Sequence, residues 1–121
     1  MTFKTRLGQL ISNNEGFNVP GSIPNRRHNP GDLRHAPHAS HSGIGPDDIG
    51  IEPSDEIGEE DMERQFTLDA SRGMTLREFA YSYAPPGDGN PTEAYLTSLC
   101  KGLGMNGDTP LSIALTVPPI E

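Results

Sequence analysis

Between Gly16 and Pro53 the chain is dominated by Gly, Pro, Asn, Ser and His, with no sustained apolar period, so this stretch supplies no face for a core. The core must come from the flanks. The chain has 121 residues, 32% of them hydrophobic, with 14 glycines, 12 prolines and no Trp, so its apolar residues can hold together one small domain. Within the polar stretch only Asp32-Leu33-Arg34 and Ile49-Gly50-Ile51 could serve as short extended pieces, too short for a sheet-based fold. The expectation is a mainly α single domain over residues 1–121, with a long loop or minor hairpin after the first helix.

Outside that stretch the apolar residues recur at helical spacing. Phe3, Leu7, Leu10 and Ile11 form one stripe that runs out at Asn13-Asn14, which predicts a first helix from Phe3 to about Phe17. Ser54 offers a cap to an acidic first turn, and Met62, Phe66 and Ala70 mark a modest face, so a second helix is expected from about Ser54 to Arg72, stopped by Gly73. Thr75 and Glu78 have capping-box spacing ahead of Leu76, Phe79, Ala80 and Tyr83, and Pro85-Pro86 closes that third helix. Asn90-Pro91-Thr92-Glu93 opens a fourth, whose wide apolar face of Ala94, Tyr95, Leu96, Leu99 and Leu103 ends at Gly104. A last short helix can begin at Asp108-Thr109-Pro110.

Charge narrows the function. A formal net charge of −8 argues against nucleic acid, because phosphate binding rests on clustered Lys and Arg, and here only Arg26-Arg27 forms a basic pair. Nine of the 17 carboxylates fall between Asp47 and Glu63, a run that reads as a solvated acidic loop and helix start. The single Cys100 excludes an internal disulfide and a thiolate zinc site, and its place among Leu96, Leu99 and Leu103 reads as packing. No apolar run is long enough for a membrane span, and no apolar h-region follows Lys4 and Arg6. The chain is therefore expected to be made in the cytoplasm without a visible signal peptide.

Glu15 is the residue with the most to say about chemistry. It falls where the first helix ends and the polar stretch begins, at the negative end of the helix dipole and beside Phe17. Both the dipole and partial burial disfavour its ionised form, and a carboxyl still protonated near neutral pH is what a general acid requires.

Glu15-Gly16-Phe17, Pro20-Gly21-Ser22 and Arg27-His28-Asn29-Pro30-Gly31-Asp32-Leu33-Arg34 together resemble the start of phage-associated, lysozyme-like muramidases and lytic transglycosylases. In those proteins a helix-terminal Glu precedes an Asn-Asn-Pro-Gly-Asn-Leu-Arg type turn. A second block, Arg72-Gly73-Met74-Thr75-Leu76, Tyr83-Ala84-Pro85-Pro86 and Asn90-Pro91-Thr92-Glu93-Ala94-Tyr95 through Leu103-Gly104, is similar to their C-terminal half, including a Glu-x-Tyr helix. The two blocks cover roughly half the chain in the family's order. His28 and Asp32 depart from it, standing where Asn is expected, and the Gly-Leu-Met-Gln motif of transglycosylases is missing.

The resemblance implies a small lysozyme-like helical domain that cleaves the β-1,4 bond between N-acetylmuramic acid and N-acetylglucosamine in peptidoglycan. Glu15 would be the single general acid, Tyr95 would orient it or bond to it, and Asn29, Arg34 and Asp32 would contact sugar. No cofactor is implied. The partners implied are glycan strands of the cell wall and other virion proteins, with the chain carried in a virion or released to the wall. The alternative is a phage structural or peptidoglycan-binding module of the same fold without activity.

Two questions stay open at this level. A hydrolase needs a second carboxylate at a defined distance, for which Asp32, Asp47 and Asp48 are candidates, whereas substrate N-acetyl assistance lets one acid suffice. His35, His38 and His41, with His28 upstream and Asp47-Asp48 downstream, have a composition able to bind a divalent metal, but Pro37 prevents a shared helix face and no His-Glu-x-x-His occurs. A solvated loop is the preferred reading, with no metal.

Overall fold

The computed structural model describes residues 3–33, 37–40 and 50–121, and the fold is mainly α. The first stripe forms helix α1, Arg6–Asn14, entered through Thr5, whose hydroxyl accepts the Gly8 amide at 3.0 Å and donates to Glu63 Oε1 at 2.7 Å. Leu7 and Ile11 are fully buried and Phe3 nearly so. The end of α1 follows the Schellman pattern: Gly16 at φ 76° donates to Asn13 O at 3.1 Å, and Phe17 donates to Ser12 O at 2.9 Å. Phe17 then turns inward, edge-on to Phe3 at 6.4 Å.

The polar stretch is less bare than its composition suggests. Ser22 caps a one-turn helix α2, Ile23–Arg26, with Pro24 in its first turn. Four residues carry no readable period, so the sequence reads this turn as loop. Ser40 and Ile51 form an isolated antiparallel bridge, at 2.9 Å and 2.6 Å, where a minor hairpin was expected. No strand longer than such a bridge occurs among the described residues.

Helix α3, Asp55–Ser71, starts from the Ser54 cap and matches the expected bounds within a residue at each end. It buries Met62 and Phe66 completely. It also buries Glu59, Asp61 and Glu63 of the acidic run, contrary to the solvated face read from sequence, and Asp69 beyond it. The polar stretch lies on this helix. His28 Nδ1 contacts Asp55 Oδ1 at 2.7 Å, and Gly58 faces the His28 carbonyl so closely that a Cβ there has no room.

Helix α4, Leu76–Tyr83, carries the full capping box, with Glu78 N donating to Thr75 Oγ1 at 3.2 Å and Thr75 N donating to Glu78 Oε1 at 3.0 Å. A 3-10 turn at Pro86–Asp88 leads to α5, Thr92–Leu103, which ends at Gly104 with φ 71°. A final turn, α6, spans Leu111–Ala114. α5 packs on α1 and α4, and α6 packs on α3 and α4. Leu76, Phe79, Leu99 and Leu111 are fully buried where these elements meet. Cys100 is half-buried at the margin of that core. Among the described residues no helix is long and apolar enough to cross a membrane.

Candidate functional site

Glu15 is the C-cap residue of α1, its amide donating to Ile11 O at 2.9 Å. With Gly16 and Phe17 fixed by the Schellman bonds, its backbone is held on both sides. α5 runs against α1 closely enough that a Cβ on Gly102 would meet the Leu10 side chain, and this brings Tyr95 to the end of α1. Tyr95 Oη donates to Glu15 Oε1 at 3.3 Å, across 80 positions of sequence.

The second wall is the turn from His28 to Leu33, whose centre is Asn29. Its side-chain Nδ2 donates to Leu33 O at 2.7 Å and to Gly50 O at 2.9 Å, while its Oδ1 accepts the Leu33 amide at 2.9 Å. Asn29 is fully buried. This corrects the expected sugar contact: an amide enclosed on all sides and bonded to loop backbone is a scaffold, and it shapes the turn from within. The turn places His28 and Asp32 at φ 52°, a left-handed conformation that Asn and Asp tolerate better than most residues. That requirement is a backbone reason for Asp at position 32.

Tyr83 closes the turn from below. Its ring lies against Phe79 at 5.2 Å and Phe66 at 6.2 Å, and its hydroxyl donates to Gly31 O at 2.5 Å. Gly31 is obligatory here, since a Cβ would collide with Tyr83 Oη and Met62. A cavity of about 280 Å³ opens beside the turn, lined by Asp32, Gln65, Asp69, Ser82 and Tyr83 among others. A larger one, about 430 Å³, lies between Lys4 and the acidic side of α3, with Glu59 and Glu63 in its wall, and contains none of the expected site residues.

The electrostatics follow from this packing. Burial pushes the Glu15 carboxyl up to about 7, the negative charge of Asp32 adds to the rise, and the Tyr95 hydroxyl partly opposes it by bonding to the ionised form. Burial, expected alongside the helix end, is the largest cause, and Asp32 adds a second that the sequence did not suggest. Tyr95 and Tyr83 are both pushed upward, first by burial and then by surrounding negative charge, so both stay hydroxyl donors at any ordinary pH. A half-buried carboxyl near 7 beside a fixed donor can deliver a proton at neutral pH and leave a stabilised carboxylate behind.

Glu15, Tyr95 and Asp32 are thus brought into one electrostatic unit, Asn29 is placed beneath it, and Arg34 lies outside the described residues. Tyr83 is a further residue in contact with this turn, through the Gly31 carbonyl. Its signal was present in the Tyr83-Ala84-Pro85-Pro86 block, but an inward position on α4 reads as core. His38 pairs with Asp61 at 2.7 Å and His28 with Asp55, at separate places on α3, while His35, His41, Asp47 and Asp48 lie outside the described residues. Among the described residues no group of three or more His, Cys, Asp or Glu could hold a metal ion. No family model matches the chain, and no curated protein or solved structure matches it.

Proposed function

We propose that this chain cleaves the β-1,4 glycosidic bond between N-acetylmuramic acid and N-acetylglucosamine in bacterial peptidoglycan, with Glu15 as general acid. The observation that carries the reading is Glu15 itself, a carboxyl lifted to about 7 at a helix end and bonded to Tyr95. The likeness of the two sequence blocks to lysozyme-like muramidases and lytic transglycosylases supports the substrate class.

Glu15 gives its proton to the bridging oxygen as the C1–O bond breaks, and the Tyr95 hydroxyl steadies the carboxylate left behind. The substrate's N-acetyl carbonyl stabilises C1 from the opposite face. Water, or the C6 hydroxyl of the same sugar, then attacks C1 and returns a proton to Glu15. Asp32 raises the acid's proton affinity and is the candidate for a second carboxylate among the described residues.

A net charge of −8 favours a second reading, since the cell wall is itself anionic and electrostatic steering would oppose binding. In that reading the domain is a wall-binding or virion structural module without activity. Incubation with insoluble peptidoglycan separates the two. Release of soluble muropeptides, lost in Glu15→Gln, supports the enzyme; retention on the wall with nothing released supports the module.

A further inference from the structure

The bond from Tyr83 to Gly31 joins the interior of the bundle to the turn whose Asp32 places negative charge near Glu15. Tyr83 lies 52 positions from Gly31, on a helix wedged into the aromatic cluster of Phe66 and Phe79. Gly31 immediately precedes Asp32, whose φ of 52° is left-handed, a conformation Asp tolerates at a small cost that neighbouring bonds offset. Asn29 supplies part of that support from the loop side, with Asp32 N donating to Asn29 O at 3.0 Å. The support from the core side is the Tyr83 hydroxyl.

We propose that Tyr83 is a positioning residue of the site, whose hydroxyl fixes the Gly31–Asp32 peptide and thereby the place of the Asp32 carboxylate relative to Glu15. Its importance for catalysis rests on the reading of Glu15 as general acid. The placement itself does not. Tyr83 touches no reacting atom; it acts through Asp32. Among the described residues, the groups that act electrostatically on Tyr83 are Tyr95, Glu15, Asp32 and Asp69, and those that act on Glu15 are Asp32 and Tyr95, so Asp32 is a negative charge common to both.

Tyr83→Phe keeps the ring and removes only the hydroxyl. With Glu side chains labelled for carboxyl carbon NMR, the Glu15 midpoint should fall by about half a pH unit or more as Asp32 loosens and its charge moves away. Asp32→Asn should lower the midpoint at least as far, and adding Tyr83→Phe to Asp32→Asn should change it no further. A purely structural tyrosine would cost thermal stability and leave the Glu15 midpoint where it is, and that result overturns the proposal. If Tyr83→Phe does not fold, the unmodified protein still decides: the half-buried Tyr83 hydroxyl proton should shift with the same midpoint as Glu15, and a hydroxyl blind to that titration overturns the role. None of these readouts requires lysis. A coupled Glu15 in a protein that cuts no wall defeats the proposed function and leaves the Tyr83 role standing.

Discussion

Tyr95 Oη stands 3.3 Å from Glu15 Oε1, tying the first turn of α5 to the C-cap residue of α1. The bond is formed most strongly with the ionised carboxylate, so it pulls the Glu15 proton affinity down while burial and Asp32 push it up. Tyr95→Phe removes only the downward pull. The Glu15 midpoint should therefore rise above about 7, and the alkaline limb of any wall-lytic activity should move the same way. Its rate at the optimum should fall by about tenfold, because the carboxylate left after proton transfer loses one hydrogen bond. Carboxyl NMR titration and a pH–rate profile check the two effects independently.

Glu15 makes stability depend on pH. Its folded value, about 7, lies above the ordinary 4.5, so folding binds a proton in the window between them. That contribution is fully present below about 4.5 and is lost as pH rises through 7. Glu15→Gln should therefore be more stable than the unmodified chain at pH 8 and lose the advantage near pH 4. Thermal unfolding across this range measures it, and equal melting temperatures at pH 8 would count against a buried Glu15.

Glu52 should act in the same direction from another place. Its side chain is almost fully buried and neither carboxyl oxygen has a conventional hydrogen-bond partner. Burial, then the neighbouring Asp61 carboxyl, pushes it up to about 8. Burial likewise raises Glu59, Glu63 and Asp69, so the fold is expected to be most stable in mild acid and to weaken as pH climbs through 8. Glu52→Gln should flatten the alkaline part of that decline. Chemical denaturation at pH 5 and pH 8.5, with and without the substitution, gives the comparison.

Gly58→Ala is expected to be costly although Ala is the better helix former. The added methyl would meet the His28 carbonyl, which is backbone and cannot swing aside as a flexible side chain would. A loss of about 1–3 kcal/mol is expected from overpacking, against the gain of about 1 kcal/mol that Gly to Ala brings in an open helix. The turn of Asn29 and Asp32 should be disturbed with it. Amide chemical shifts of residues 28–33, read beside the melting temperature, separate this local displacement from a general loss of stability.

Most of the helical frame was legible because its signals are local. The Thr75–Glu78 box, the Ser54 cap and the stripes of α1 and α5 each sit within a few turns of chain. What escaped was written in distant contacts. Asn29 reads as a turn former or a sugar contact until Gly50 folds back to accept its amide hydrogen. The acids at the start of α3 read as solvated because nothing in their spacing reveals that Thr5 and His38 meet Glu63 and Asp61. Tyr83 reads as core because the Gly31 carbonyl it holds is contributed by another part of the chain. The proximity of Glu15 and Tyr95 was expected from family order alone, since no periodicity links residues 80 positions apart.

The most direct test of Glu15 as the acid of a wall-cleaving enzyme is mass spectrometry of purified peptidoglycan digested with the unmodified chain and with Glu15→Gln. The unmodified chain should release disaccharide muropeptides ending in N-acetylmuramic acid or its 1,6-anhydro form. Glu15→Gln should release at least about a hundredfold less at the same protein concentration, the lower range for loss of a positioned acid. The same products at an undiminished rate from Glu15→Gln, or no soluble muropeptides from a folded unmodified chain, would contradict it.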